Sequence, residues 1–105
     1  KTGKGLLVDF YADWCLPCRE WDKRVWSDAR AQTEITGRFI PVKIDCTKET
    51  TECKAAVDRF KVIGWPTIIF MDEKLQEKTD KRVIGAVMDA DEFINYLQGM
   101  DERKR

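Results

Sequence analysis

The sequence predicts an α/β fold with a central mixed β-sheet of about four strands and helices on both faces. Its length of 105 residues is that of one domain with a modest core. Strand-like and helix-like segments alternate in the order β-α-β-α-β-β-α. The first two strands are joined through a helix and should be parallel, whereas a later hairpin should add an antiparallel pair.

The first predicted strand, Leu6–Ala12, is an apolar run that only Asp9 interrupts, as expected for a strand buried on both faces. Apolar residues at helical spacing then predict a helix over residues 15 to about 25. Ser27-Asp28 is typical of a new N-cap. The helix should therefore break there, and a second short helix should follow.

The middle of the chain predicts a strand and a helix. The second short helix ends near Gly37, and Phe39–Cys46 is the next strand. Thr50 or Thr51 is suited to cap a helix that runs to Phe60 and carries its apolar residues on one side.

The last part predicts two strands and a helix. Thr67–Met71 and Lys81–Val87 are strand-like, and the turn at Asp72–Lys74 is short enough to join them as an antiparallel hairpin. Asp89 with Glu92 three residues later resembles a capping box, which predicts the start of the last helix.

Composition excludes several classes of function. Lys+Arg and Asp+Glu are 19 each, so the formal net charge is zero, and the electrostatic signature of a nucleic-acid-binding protein is missing. Uninterrupted apolar stretches reach only four residues, as in Ile68–Met71, far short of a membrane span. The chain has no histidine, which excludes Cys–His nucleophilic catalysis and Cys/His zinc sites. The reactive side chains that remain are four cysteines and the carboxylates.

No linker-like stretch divides the chain, so we expect a single domain over residues 1–105. Residues 1–5 are polar and predict a flexible lead-in, and residues 101–105 predict a frayed, charged tail. The sequence opens with Lys1 and has no signal-like apolar segment. We interpret it as a piece of a longer precursor or as a processed mature form.

A pair of cysteines with two residues between them carries the chemistry. Cys15-Leu16-Pro17-Cys18 directly follows the first strand and opens a helix. The free N–H groups and the positive dipole end of a helix N-terminus lower a thiol pKa. Cys15 is therefore the predicted nucleophile, and Cys18, one turn inside, is the predicted residue that attacks a mixed disulfide on Cys15. Pro17 fits the first turn, where a missing N–H is no loss.

The alternatives to redox chemistry are a zinc site and a purely structural disulfide. The remaining cysteines, Cys46 and Cys53, have six residues between them rather than two, and no histidine can substitute for a cysteine ligand. Redox chemistry is therefore favoured. For Cys46 and Cys53 themselves we favour two buried structural thiols, because free cysteine is among the most buried residue types. A disulfide between them remains the alternative.

Two motifs in register carry a resemblance to the thioredoxin superfamily. The segment Val8–Cys18 resembles the superfamily's active-site segment, and Gly64–Thr67 resembles its cis-proline segment. The resemblance covers nearly the whole chain and lacks only the N-terminal strand and helix of that family. Within the superfamily the sequence is most similar to the C-terminal periplasmic domain of DsbD-type thiol:disulfide interchange proteins. The supporting segments are Val25-Trp26-Ser27-Asp28, Asp45-Cys46-Thr47, and Gly85 followed by Met88-Asp89-Ala90.

The resemblance implies a proton-transfer role for Asp9. In the family this position holds the buried acid behind the two cysteines, which shuttles the proton of the second one, here Cys18. A carboxylate in an apolar strand is costly to bury, and burial raises its pKa toward neutrality. The alternative is a structural acid with satisfied hydrogen bonds. Lys43 is expected either to pair with Asp9, as thioredoxins often show, or to be an ordinary exposed strand lysine.

The resemblance also implies where a protein substrate docks. The Trp65–Pro66 bond should be cis, and its loop should lie beside Cys15 and pair with the substrate backbone. Trp65 departs from the family, in which an aliphatic residue commonly precedes this proline. Trp14 should form an apolar collar beside the reactive cysteine. The predicted substrate-binding residues are Trp14, Leu16, Pro17, Trp65, Pro66 and Thr67.

The sequence therefore predicts a thiol:disulfide oxidoreductase that exchanges electrons with protein thiols and disulfides through Cys15 and Cys18. It needs no cofactor beyond that disulfide, no metal and no nucleic acid, and we expect a monomer. The resemblance implies a reductase in a DsbD-like pathway, supplied by a membrane-embedded donor domain and located in the periplasm or another extracytoplasmic space. The alternatives are a free-standing thioredoxin, which could be cytoplasmic, and a thioredoxin-fold binding or chaperone-like module without turnover.

Overall fold

The computed structural model describes residues 3–101. It confirms the predicted order of elements. They are β1 (Gly5–Tyr11), α1 (Leu16–Trp21), a π-helical turn (Asp22–Trp26), α2 (Ala29–Thr36), β2 (Phe39–Asp45), α3 (Thr51–Phe60), β3 (Thr67–Met71), a 3₁₀ turn (Thr79–Lys81), β4 (Val83–Ile84) and α4 (Ala90–Asp101).

The two predicted polar ends fall partly outside the described residues. Within the proposed lead-in, Gly5 already belongs to β1, and Asp101 of the proposed tail belongs to α4. Residues 1–2 and 102–105 lie outside the described part of the chain.

The four strands form one mixed sheet in the order β2-β1-β3-β4. β1 is parallel to β2 and antiparallel to β3, and β3 is antiparallel to β4. The predicted fold class is confirmed.

Side chains alternate between the two faces of the central strands, and this alternation divides the core in two. Leu7 of β1 and Phe70 of β3 pack with α1, the π-helical turn, α2 and α4. Val8 and Ile69, their neighbours in sequence, pack with α3 on the other face. Helices therefore cover both faces of the sheet, as predicted.

Side-chain caps fix where the helices begin. Asp28 accepts the N–H of Ala31 at 3.0 Å and starts α2, which confirms the predicted break after the first helix. Thr50 caps α3 through the N–H of Cys53. The predicted capping box is also present, because Asp89 and Glu92 each accept the other's N–H at 2.8 Å.

The prediction for the last strand, Lys81–Val87, is wrong in extent. The chain does reverse after β3, but it pairs there only through a bridge between Met71 and Glu77. A 3₁₀ turn then intervenes, and regular pairing is limited to Val83 and Ile84. The strand ends at Ile84, just before Gly85, whose φ of 71° is a left-handed conformation that is open to glycine and interrupts an extended strand.

Strand directions bring four chain segments to one edge of the sheet. The parallel strands β1 and β2 end at this edge, and β3, which is antiparallel to β1, begins there. β4 also ends there, and the N–H of Gly85 after it donates to the carbonyl of Pro66. The segments around Cys15, Thr47 and Trp65 therefore share this edge.

Candidate active site

Cys15 and Cys18 lie where β1 passes into α1. Cys15 is the N-cap residue of α1, in an extended backbone conformation, and its Sγ accepts the N–H of Cys18 at 3.1 Å. Pro17 lies in the first turn of the helix, as predicted. The two cysteines are joined in a disulfide with a Cα–Cα distance of 5.2 Å. An N–H that points at Cys15 Sγ favours the thiolate form of this sulfur once the disulfide is reduced.

Asp9 is a buried carboxylate in the middle of β1, 3% exposed. It pairs in register with Lys43 of β2, whose Nζ lies 3.7 Å from Asp9 Oδ2 and 3.4 Å from Asp22 Oδ1. Burial raises the pKa of Asp9 to about 6, while Lys43 opposes this effect and Asp22 adds to it. Of the two alternatives expected for Lys43, the structure shows the pairing with Asp9. A carboxyl with this pKa can change its protonation state near neutral pH.

The Trp65–Pro66 peptide bond is cis, as the sequence predicts. Trp65 packs against the cluster formed by Ala12, Cys15 and Cys18, so the prediction that it borders the cysteine pair is also confirmed. Thr67 is fully buried, and its hydroxyl donates to the carbonyl of Gly64 at 2.7 Å. The buried Thr67 side chain therefore fixes the conformation of the cis-proline loop, which begins at Gly64.

Exposed apolar side chains surround the cysteine pair. Trp14 is 57% exposed and Leu16 71%. Trp14 meets Trp65 edge to face, with ring centroids 6.1 Å apart. An exposed apolar group of this kind is typical of a surface that binds another protein.

Thr47 is a site residue that the sequence analysis did not identify. Its hydroxyl accepts the N–H of Asp13 at 2.9 Å, and its carbonyl accepts the indole N–H of Trp14 at 3.0 Å. Asp45 in turn accepts both the N–H and the hydroxyl of Thr47. An Asp two residues before a Thr is a recognisable turn signal, but the sequence does not reveal that this turn lies against Trp14.

Cys46 and Cys53 form a second disulfide, with a Cα–Cα distance of 5.4 Å. The favoured prediction of two free thiols is wrong, although both residues are buried as expected. The two cysteines lie close together because Cys46 directly follows β2 and Cys53 lies in the first turn of α3. The short segment between them ends at Thr50, which caps α3 through the N–H of Cys53. The prediction of free thiols rested on the tendency of cysteine to be buried, and this tendency does not indicate whether two cysteines lie close enough to form a disulfide.

The described part of the chain holds neither a metal-binding cluster nor a membrane-spanning helix. Between residues 3 and 101, no cluster of three or more His, Cys, Asp or Glu side chains could hold a metal ion. No helix within the same range has the length and apolar character needed to cross a membrane.

Comparison with known proteins assigns the family. A family model described as a thioredoxin-like domain matches residues 1–100. The chain belongs to the thioredoxin-like family.

This thioredoxin-like domain is similar to one part of much longer proteins. It is 39% identical over 94 residues to the thiol:disulfide interchange protein DsbD of Haemophilus influenzae strain PittEE, an alignment that covers 90% of this chain and 16% of the relative. Identity to DsbD of Yersinia pestis strain Pestoides F is 38% over 96 residues, which covers 91% of this chain and again 16% of the relative. The chain thus spans about a sixth of the length of these relatives.

Solved structures show the same fold. The C-terminal domain of Neisseria meningitidis DsbD in the oxidised form superposes with a TM-score of 0.77 at 25% identity, covering 91% of this chain and 79% of that one. A thioredoxin from Thermus thermophilus superposes with a TM-score of 0.76 at 25% identity, covering 93% and 74%. Both solved structures therefore share the fold of this thioredoxin-like domain.

Proposed function

We propose that this domain reduces disulfides in partner proteins through Cys15 and Cys18, as the electron-delivering domain of a DsbD-like pathway. The observation that carries the proposal is the Cys15–Cys18 disulfide at the start of α1. The cis-proline loop adjoins this disulfide, and exposed apolar side chains surround it.

The reaction is a pair of thiol–disulfide exchanges. In the reduced domain the Cys15 thiolate attacks one sulfur of the partner disulfide, and the other partner sulfur leaves as a thiolate. Cys18 then loses its proton and attacks Cys15 Sγ, which closes the Cys15–Cys18 disulfide and releases the second partner sulfur. Two electrons pass to the partner. The Cys18 N–H at Cys15 Sγ stabilises the attacking thiolate and supports these roles.

We assign Asp9 as the group that accepts the Cys18 proton. Its carboxyl is buried, and its pKa of about 6 leaves it mostly ionised, yet still basic, at neutral pH. The positive charge of Lys43 stabilises the ionised form of the Asp9 carboxyl inside the protein.

The docking surface for the partner has exposed and buried parts. The proposed contact residues are Trp14, Leu16, Pro17 and Trp65, which lie around the disulfide. The backbone at Trp65 would pair with an extended partner segment. Pro66 and Thr67 are buried and act by shaping this loop.

The similarity to DsbD supports the remaining parts of the proposal. The partners are protein thiols and disulfides, electrons arrive from a membrane-embedded donor domain, and the domain works in the periplasm or another extracytoplasmic space. Residues 1–105 act as one monomeric domain.

An insulin-reduction assay tests the proposal, with dithiothreitol as the source of electrons. The wild-type domain should accelerate insulin precipitation, and Cys15→Ser should abolish the acceleration because the nucleophile is missing. If the wild-type domain binds unfolded proteins but does not accelerate reduction, it is a binding module without turnover, and the proposal is wrong.

A further inference from the structure

The second disulfide lies beside the partner-docking surface. Cys46 and Cys53 close a loop, residues 46–53, that joins β2 to α3, and we call this segment the bridged loop. Both cysteines line a groove that is also lined by Trp14 and Trp65. The disulfide is therefore part of the wall of a groove that opens next to the reactive pair.

The bridged loop holds the segment that precedes Cys15. The N–H of Cys46 donates to the carbonyl of Tyr11 at 2.7 Å. The next residue, Thr47, accepts the N–H of Asp13 and the indole N–H of Trp14. The residues that precede the reactive cysteine thus take their position from the first two residues of the bridged loop.

Trp14 depends on these contacts because little else surrounds it. Its side chain is more than half exposed. Two contacts orient it, the hydrogen bond to Thr47 and the edge-to-face contact with Trp65. Trp65 itself packs against the cluster that contains Cys46 and Cys53 as well as against the cluster that contains Cys15 and Cys18. Trp14 and Trp65, the two aromatic residues that line the groove, therefore both contact the bridged loop.

A covalent closure matters here because the loop has little regular structure of its own. Between Cys46 and the cap at Thr50 the chain is neither helix nor strand, and residues 48–50 are exposed. Segments of this kind open locally at low free-energy cost. The disulfide ties the start of the loop to the first turn of α3 and limits that opening.

We propose that the Cys46–Cys53 disulfide positions the partner-docking surface by holding Thr47 where it orients Trp14. The disulfide then acts on the recognition of protein disulfides and leaves the chemistry at Cys15 unchanged. This inference rests on the proposed function, since it concerns the surface on which protein substrates dock.

The first test compares the wild-type domain with Cys46→Ala/Cys53→Ala on a protein disulfide, insulin, and on a small one, glutathione disulfide. Losing one oriented hydrogen bond at the surface should raise the KM for insulin about threefold to tenfold. The kcat and the rate with glutathione disulfide should stay within about twofold, because neither needs the groove. Ile35→Ala, a core substitution in α2 away from the groove, is the matched control for general destabilisation and should leave the KM unchanged.

The second test breaks the same contact while keeping the bridge. Trp14→Phe retains an aromatic ring but lacks the N–H that donates to Thr47. This variant should raise the KM for insulin to a similar extent, and combining it with the loss of the bridge should add little, because both changes act on one contact. If the alanine variant does not fold, Cys46→Ser/Cys53→Ser removes the same disulfide and replaces it in both comparisons.

Three outcomes would overturn the inference. The first is an unchanged KM for insulin in the disulfide-free variant or in Trp14→Phe. The second is an additive rise in KM when these two changes are combined. The third is a disulfide-free variant that loses as much activity toward glutathione disulfide as toward insulin. A wild-type domain that reduces neither substrate would instead refute the proposed function, so the two failures are distinguishable.

Discussion

Asp9 shows how one residue can be unfavourable for stability and useful for chemistry. It lies in the largely buried strand β1, opposite Lys43 of the more exposed strand β2, and burial is the main cause of its raised pKa. A structural carboxylate without a function is expected to be replaced by an apolar residue at such a position, because burying it costs free energy. The proposed proton transfer from Cys18 gives a reason for its presence.

Asp9→Asn should stabilise the oxidised domain at pH 7. Native Asp9 keeps its proton up to about pH 6, whereas the unfolded chain releases it near the ordinary value of 3.8. The native state therefore binds more protons between these values, and the wild-type free energy of unfolding falls as the pH rises through this window. The asparagine variant escapes this loss, which is of the order of 3 kcal/mol because the pKa rises from 3.8 to about 6. Urea unfolding at pH 7 and at pH 4 checks this, and an advantage of the variant that is equally large at pH 4 would contradict it.

The same substitution should slow the exchange reaction. Without a carboxylate to accept the Cys18 proton, the rate of insulin reduction between pH 6 and pH 8 should fall several-fold. Lys43→Met keeps the carboxyl but removes the cation that lowers its pKa, so this variant should move the pH–rate profile to higher pH without abolishing it. A pH–rate profile of Asp9→Asn that coincides with the wild-type profile would leave Asp9 with a structural role only.

Residues differed in how much of their role the sequence could reveal. Cys15, Cys18 and Asp9 stand out because each is an unusual residue for its predicted local environment. Thr47 does not, since its contacts with Asp13 and Trp14 join residues more than 30 positions apart. The bond between Cys46 and Cys53 likewise depends on where β2 ends and α3 begins.

Among the elements, the starts of the helices and the bounds of β1, β2 and β3 followed closely from the sequence, whereas the length of β4 did not. A cap acts over three or four residues, so Asp28, Thr50 and Asp89 could be recognised from sequence. The extent of β4 depends instead on its pairing with β3 and on the backbone at Gly85. Apolar residues continue past that glycine, and the pattern alone therefore predicted too long a strand.

Asp89→Ala should destabilise the domain by about 1 kcal/mol, because α4 would lose its N-cap acceptor. α4 contributes Phe93 and Leu97 to the core, so unfolding should stay cooperative while its midpoint falls. Urea unfolding followed by circular dichroism measures the change. Asp89→Asn, which keeps an acceptor oxygen, should retain most of the stability, and an equal loss in both variants would contradict the capping argument.

At the scale of the whole molecule, the site results from the directions of the strands. Parallel β1 and β2 end at the edge where antiparallel β3 begins, and this arrangement joins the cysteine pair, the bridged loop and the cis-proline loop. The order of elements was sufficient to predict the parallel and antiparallel pairs, and hence the fold. It was not sufficient to predict how the loops contact one another, because those contacts depend on side-chain packing at the edge.

The central claim is that Cys15 attacks a partner disulfide and Cys18 resolves the product. Trapping is the most direct measurement: reduced Cys18→Ser and Cys15→Ser variants are each incubated with a disulfide-containing protein, and the products are analysed by non-reducing electrophoresis and mass spectrometry. Cys18→Ser should accumulate a mixed disulfide through Cys15, because the resolving thiol is missing. Cys15→Ser should accumulate no comparable species. Equal trapping by both variants, or trapping mainly through Cys18, would contradict the assignment.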